Sequence, residues 1–337
     1  MTIQAQTLKV ALVDLDGHPV PPWVVESLTG VGVELLVRQC NSQGELADHA
    51  KEAEIVWLFG GSRLLHGGTL ELLPRCWAIV RTGSGTDNVP VDEATARGIV
   101  VANTPSALSD GVSDHVIALI MTLARRLPQQ DRETRAGIFD QNLSRPRNSF
   151  HGRTFGLVGF GHIARDVYRK LSGFGMKWLV HDPLLKPAEA AAQGVQLVPL
   201  ETLLAESDFV SLHCPLTPTT RRLIGEQELR RMKPTAILIN TSRGPVVDES
   251  ALIRALTDGW ISAAGIDVFE QEPPARDNPL FKLDNVVLTP HSASQSGDGI
   301  EPRWRASVET LQTLAKHRWP PSCVNRHVKP QRDLFAG

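Results

Sequence analysis

Short apolar runs alternate with amphipathic stretches along most of this chain, the pattern of strands laid parallel between helices. Strands are expected at 9–13, 33–36, 55–59, 77–81 and 100–102. A second series is expected at 154–159, 178–181, 209–214, 236–240, 264–268 and 286–289. Helical spacing falls at 163–172, 200–206, 226–232, 249–258 and 300–317. Between the two series, 112–126 carries Val116, Ile117, Leu119, Ile120 and Leu123 on one face. That face is too apolar for a surface helix, so this element is expected to cross between domains. Residues 127–150 are polar, contain Pro and Arg, lack periodicity, and read as a loop or arm. The fold class that follows is α/β, with two doubly wound domains.

Length agrees with two domains, since 337 residues exceed a typical single core. Hydrophobic residues make up 42% and charged residues 21%, with 35 Lys plus Arg against 37 Asp plus Glu. Such balance creates no field favouring nucleic acid or an anionic membrane, and neither partner is expected. No uninterrupted apolar run long enough to span a membrane stands out. The start, MTIQAQTLKVALVDL, reads as a polar lead into a strand rather than a secretion signal. Cys40, Cys76, Cys214 and Cys323 are widely spaced, with no pair or His cluster at metal spacing. Reduced thiols, a cytoplasmic location and no metal are the expectation.

The most specific local motif is Gly159-Phe160-Gly161-His162-Ile163-Ala164, between an apolar strand and an amphipathic helix. Gly159 permits a tight turn, and Gly161 leaves no side chain where backbone must approach a pyrophosphate. Ala164 allows close packing of helix on strand, and the helix N-terminus offers N–H groups to phosphate. Asp182, ending the next strand 23 residues beyond Gly159, suits an acceptor for the adenine ribose hydroxyls. A carboxylate there repels a 2′-phosphate, so the expected cofactor is NAD; Lys186 nearby partly offsets that repulsion.

Three residues at later strand ends supply the groups that reduction of a keto acid needs. Arg243, in Asn240-Thr241-Ser242-Arg243-Gly244, can grip a carboxylate in bidentate fashion. His291, after Thr289-Pro290, can protonate the alkoxide that forms as a carbonyl accepts hydride. A glutamate hydrogen-bonded to that imidazole would favour its charged form. Glu272 and Glu270 both compete for this place, and spacing alone leaves the choice open. Asp267 suits an acceptor for the nicotinamide carboxamide.

With these residues in hand, the chain resembles the D-isomer-specific 2-hydroxyacid dehydrogenases over nearly its whole length. The matching stretches include Arg81-Thr82-Gly83-Ser84-Gly85-Thr86-Asp87-Asn88-Val89 and Arg97-Gly98-Ile99-Val100-Val101-Ala102-Asn103-Thr104-Pro105. Others are the Gly motif, Leu212-His213-Cys214-Pro215-Leu216-Thr217, and the segments around Arg243, Glu272 and His291. The resemblance implies a Rossmann NAD-binding domain (106–298) inserted into a flavodoxin-like substrate domain (1–105 and 299–337). It implies that Glu272, immediately before proline, is the catalytic carboxylate. Cofactor contacts are implied for Gly159, Gly161, His162, Ile163, Asp182, Cys214, Thr241, Ser242, Arg243, Asp267, His291 and Ser294. Backbone N–H groups near Ser84 and Gly85 would hold the substrate carboxylate beside Arg243. A homodimer formed mainly through the nucleotide domains is also implied.

Departures refine this picture. Val112-Ser113-Asp114-His115 has aspartate where most members have glutamate, as in the branch that includes the C-terminal binding proteins. That branch often has tryptophan where Ser294 stands. No arginine follows Phe59-Gly60 where phosphoglycerate dehydrogenases bind phosphate, so a phosphorylated substrate is not expected. The stretch Trp57-Leu58-Phe59-Gly60 is expected to wall the substrate pocket. Formate dehydrogenases carry glutamine at the place of Glu272, which argues against formate. The expected activity is NAD-dependent interconversion of a D-2-hydroxy acid and its 2-keto acid. Oxidation of a small anion such as phosphite, and an NAD-sensing binding protein, are the rival readings; the absence of extended partner-binding tails favours an enzyme.

Overall fold

Strand β1 (Leu8–Asp14) is buried along its last five residues, and its neighbours β3 (Ile55–Leu58), β4 (Ala78–Arg81) and β5 (Val100–Asn103) are equally apolar. With β2 (Val33–Val37) they form a parallel sheet in the order β2-β1-β3-β4-β5, as the alternation predicts. The computed structural model describes residues 7–15, 17–62, 64–295 and 299–335. Helices α1 (Pro22–Thr29), α2 (Gln43–Ala50) and α3 (Val91–Ala96) join these strands. Ser42 caps α2 by accepting the Glu45 N–H at 3.2 Å. One face of the sheet packs on Leu46, Ala50, Leu70 and Ala94, and the other on Trp304, Val308, Leu311 and Leu314 of the last long helix, Ile300–Ala315. Each such large aliphatic side chain contributes about 1.5–3 kcal/mol by leaving water.

Trp57, Leu58 and Phe59 are core residues rather than a pocket wall, which corrects the expectation from sequence. The Trp57 indole N–H donates to Thr82 Oγ1 at 2.9 Å, and the Phe59 ring stacks on Trp304 at 3.7 Å. Burial of both aromatic bodies outweighs any use of them at a ligand surface. The C-terminal tail is tied to β5: Asn325 Oδ1 accepts the Val101 N–H and its Nδ2 donates to Ile99 O.

Met1–Leu108 and Gly297–Gly337 form this first unit; Ser109–Ser296 form a second. The boundary expected at 105/106 thus falls three residues later, and the one expected at 298/299 lies outside the described residues.

In the second unit, α4 (Ser109–Ala124) and α5 (Leu127–Arg135) precede β6 (Thr154–Val158). Then come α6 (His162–Leu171), β7 (Lys177–His181), α7 (Pro187–Ala192), β8 (Gln196–Leu197), α8 (Leu200–Glu206) and β9 (Phe209–Leu212). The series ends with α9 (Glu226–Arg231), β10 (Ile237–Asn240), α10 (Glu249–Thr257), β11 (Ala263–Ile266) and β12 (Val286–Leu288). The helix Ile300–Ala315, α11, belongs to the first unit. All seven strands run parallel in the order β12-β11-β10-β9-β6-β7-β8. The strand order reverses between β6 and β9, which makes their carboxyl ends the ligand-binding crevice of a Rossmann sheet.

Two expectations for 105–150 are corrected. Residues 127–135 are helical: Pro128 stands in the first turn and Asp131 pairs with Arg135 at 2.8 Å. Helix α4 lies within the second unit, against α6, β10 and β11. By length and composition alone, Pro105–Ala124 could cross a membrane, with mean hydropathy 1.3. Its Val116, Leu119, Ile120 and Leu123 are instead packed in the core beside Phe155 and Val167.

Candidate active site

Every described piece of the candidate site in the second unit hangs on the carboxyl end of a strand. At the end of β6, Gly159 has φ +89°, and a β-carbon there would sit 2.9 Å from the Cys214 nitrogen. Glycine is therefore required twice, by angle and by space. Gly161 caps α6 without a side-chain hydrogen bond, and a β-carbon on it would meet nothing within 4 Å. The first N–H groups of α6 thus open onto space that a pyrophosphate fits. Ala164, Val167 and Leu171 bury the opposite face of α6, holding that open end in place.

Asp182 follows β7 and is already engaged. Its Oδ2 accepts the Phe160 N–H at 2.8 Å and its Oδ1 the Leu184 N–H at 2.8 Å. The carboxylate therefore shapes the glycine turn and keeps lone pairs for ribose hydroxyls. His162 is exposed at the start of α6, and Ile163 is half-buried. Cys214, just past β9, is half-buried; burial pushes its thiol up to about 11, so it stays protonated and is no nucleophile. Its neighbour His213 seals Nε2 from solvent with no hydrogen-bond partner.

At the end of β10, buried Asn240 builds the turn that carries Arg243. Its Oδ1 accepts the Ser242 N–H at 3.0 Å and hydroxyl at 2.9 Å, while its Nδ2 donates to Arg243 O at 3.0 Å. Arg243 also donates from Nη1 to Ser242 O at 2.7 Å. Thr241 Oγ1 is buried without a partner, an orphaned polar atom of the kind a bound ligand satisfies.

Beyond β11 the two rival glutamates part company. Glu270 pairs with Arg222 at 3.1 Å, whereas Glu272 Oε2 accepts from His291 Nδ1 at 2.8 Å. Glu272 Oε1 accepts the Phe269 N–H at 3.0 Å. His291 occupies the left-handed region, φ +53°, held by N–H bonds to Asp267 O and Thr289 O. Asp267 is 1% exposed and is wrapped by this turn. Its Oδ1 accepts from Thr289 Oγ1 at 2.5 Å and Ser292 N–H at 2.9 Å, and its Oδ2 from Ala293 N–H at 3.0 Å. Ser294, next along, is half-buried.

The hydrogen bond that His291 donates to Glu272 raises the imidazole pKa above its ordinary 6.5, against burial and the charge of Arg243. Burial would raise Glu272, but the His291 and Phe269 donors and the Arg243 charge outweigh it and hold the carboxyl low. The pair thus favours imidazolium beside carboxylate, with a guanidinium near enough to act on both.

In the first unit, Ser84 is exposed after β4 and its carbonyl accepts from Asn103 Nδ2 at 2.8 Å; Gly85 is half-buried. Sequence reasoning passed over Asn240, Gly244 and Thr289. An asparagine closing an otherwise apolar strand was the available signal for the first.

The model for "D-isomer specific 2-hydroxyacid dehydrogenase, NAD binding domain" matches residues 117–293. A glyoxylate reductase of Korarchaeum cryptofilum (strain OPF8) is 46% identical over 261 residues, covering 77% of this chain and 79% of that protein. Among solved structures, a D-lactate dehydrogenase from Aquifex aeolicus complexed with NAD and lactic acid superposes with TM-score 0.80. It is 30% identical over 91% of this chain and 95% of its own. A glyoxylate reductase from Paecilomyes thermophila gives TM-score 0.85 at 27% identity, covering 95% of this chain and 99% of the other.

Proposed function

Because the chain belongs to the D-isomer specific 2-hydroxyacid dehydrogenase family, enzymes that interconvert 2-hydroxy and 2-keto acids with a nicotinamide dinucleotide, we propose that it reduces a small 2-keto acid, glyoxylate foremost, with NADH. The observation that carries this reading is the 2.8 Å His291–Glu272 pair beside Arg243, in the same unit as the glycine turn. The name borne by the 46% identical relative supports glyoxylate as the first substrate to test.

In this mechanism Arg243 holds the substrate carboxylate and touches the adjacent carbonyl oxygen, polarising it. His291 gives its proton to the carbonyl oxygen as the oxyanion develops, and Glu272 keeps the imidazole charged and oriented until then. The dinucleotide, when bound, supplies the hydride that C2 of the keto acid receives. Gly159, Gly161 and the α6 N-terminus hold its phosphates, and Asp182 its adenine ribose, selecting against a 2′-phosphate. Thr241 and Ser294 line the remaining cofactor contacts. A homodimer in the cytoplasm completes the proposal; exposed Leu127, Ile138, Phe139 and Leu143 along one segment of the second unit support the dimer.

The test is a panel of glyoxylate, hydroxypyruvate, pyruvate and their phosphorylated relatives, followed by NADH and NADPH absorbance. Turnover of glyoxylate with NADH is expected. No oxidation of either cofactor with any keto acid would reject the reading.

A further inference from the structure

The turn that carries His291 is held from behind by a residue that has no place in the mechanism above. His115, on α4, puts Nε2 3.0 Å from Thr289 Oγ1. Thr289 Oγ1 lies 2.5 Å from Asp267 Oδ1, and His115 Nε2 itself is 3.7 Å from that oxygen. Asp267 in turn gathers the Ser292 and Ala293 N–H groups and, through its own carbonyl, the N–H of His291.

Donor counting fixes the direction of this chain. An ionised Asp267 can only accept, so the single Thr289 hydroxyl proton goes to Asp267. Thr289 Oγ1 must then accept from His115, which places a proton on His115 Nε2. The relay runs His115 to Thr289 to Asp267, and Asp267 fastens the three residues after Pro290. His291 needs this help, because φ +53° is a costly conformation for a residue other than glycine.

We propose that His115 is a positioning residue for the reaction, acting through Thr289 and Asp267 to hold the 289–293 turn so that the His291 imidazole stays on Glu272. Its imidazole reaches Thr289 and Asp267, and through them the turn that carries His291. The proposal rests on the assigned role of His291, and deepens it.

Variants of His115 and Thr289 test it by two measurements. His115→Leu removes the donor; His115→Gln restores an N–H at about the reach of Nε2; Thr289→Val breaks the relay one step on. His115→Leu and Thr289→Val are each expected to lower kcat on the order of tenfold to a hundredfold, since small misplacement of a catalytic group costs that much. KM for NADH should move less than about twofold. His115→Gln should recover most of the loss, and the His115→Leu, Thr289→Val double variant should be little worse than either single one. Full kcat in His115→Leu, equal losses for Leu and Gln, or additive losses in the double variant would overturn the proposal. Should His115→Leu fail to fold, Thr289→Val against Thr289→Ser carries the same comparison.

The second measurement needs no turnover. An NMR titration of the His291 imidazole in the cofactor-free chain should show its raised pKa falling toward the ordinary value in His115→Leu and staying high in His115→Gln. An unmoved titration overturns the relay even if the keto-acid panel succeeds. A wild-type chain that reduces nothing but shows the shift would sink the functional reading and leave the relay standing.

Discussion

A β-carbon built on Gly244 would lie 1.8 Å from the carbonyl oxygen of Phe269. The loop after β10 is thus laid directly on the backbone of the loop after β11. Arg243 immediately precedes the contact on one side, and Glu272 follows it by three residues on the other. The backbone of Gly244 is not in the left-handed region, so the restriction is one of space alone. Gly244→Ala must push the loops apart, a strain of about 1–3 kcal/mol or more. The expected outcome is a loss of kcat/KM of at least about a hundredfold, with NADH affinity, read by fluorescence, affected far less. Retained activity would show that the two loops separate without cost to the site.

The His291–Glu272 pair sets a pH dependence whose sign follows from the directions of the two shifts. His291 is raised above 6.5, chiefly by its hydrogen bond to Glu272, so imidazolium persists into neutral solution. Reduction uses that proton, and kcat/KM for the keto acid should be full at lower pH and fall as pH rises through the raised pKa. Oxidation of the hydroxy acid needs the neutral imidazole and should show the opposite limb. Glu272→Gln removes the charge that sustains the imidazolium, and both limbs should move to lower pH. Profiles that do not move would assign the titration to another group.

How much of this was legible beforehand depends on the range over which each feature is encoded. The glycine turn, its strand and its helix occupy one contiguous stretch, and the strands around it are apolar because both faces of the sheet are covered. Helix α5 was missed because it is held by polar contacts, Asp131–Arg135 and Arg132–Asp284, with no apolar stripe to give it periodicity. Strand β8 is only Gln196–Leu197, too short to register. Trp57 and Phe59 were misread because an aromatic run at a strand end looks alike whether it faces a ligand or a core. The choice between Glu270 and Glu272 turned on Arg222, a partner 48 positions away from Glu270. The His115–Thr289 contact spans 174 positions, and no local pattern encodes it.

Asp182 performs two tasks that substitutions can separate. In the proposed reading its charge opposes a 2′-phosphate, while its oxygens accept the Phe160 and Leu184 N–H groups that shape the turn. Asp182→Asn keeps one acceptor and loses the charge; Asp182→Ala loses both. Discrimination between NADH and NADPH, as a ratio of kcat/KM, should fall by roughly tenfold or more in Asn, equivalent to about 1.4 kcal/mol. Ala should in addition weaken NADH itself. An unchanged ratio in both would place cofactor selection elsewhere.

Phe139 is 97% exposed, with Ile138 beside it also open to solvent. A phenylalanine left wholly in water is a costly surface unless another molecule covers it. The proposed dimer should form in the wild type, and Ile138→Ser with Phe139→Ser should shift it to monomer in light scattering at micromolar concentration. A double variant that remains dimeric would remove this segment from the interface.

His213 predicts how the fold responds to acid. Burial lowers its pKa to about 3, because Nε2 is sealed and unpartnered and a charge there would have neither water nor acceptor. In the unfolded chain the same ring titrates near its ordinary 6.5. Between those values the unfolded chain binds the extra proton, so the contribution of this residue is complete above 6.5, declines as pH falls, and levels off near 3. The slope is about 1.4 kcal/mol per pH unit at most. Carboxylates held low by partners, such as Asp208 and Glu272, add their own losses only below their ordinary range, near 4. The window from 6.5 down to about 4.5 therefore isolates the histidine. Thermal unfolding across that window should weaken steadily in the wild type and much less in His213→Gln. The backbone N–H of His213 donates to Val158 O at 2.7 Å and its carbonyl carbon lies 3.0 Å from where a Gly159 β-carbon would be, so this residue packs directly against the glycine turn. NADH affinity should stay flat over the same pH interval, because the folded chain keeps this imidazole neutral down to about 3, and an affinity that falls in step with stability would show that the ring takes up its proton without unfolding.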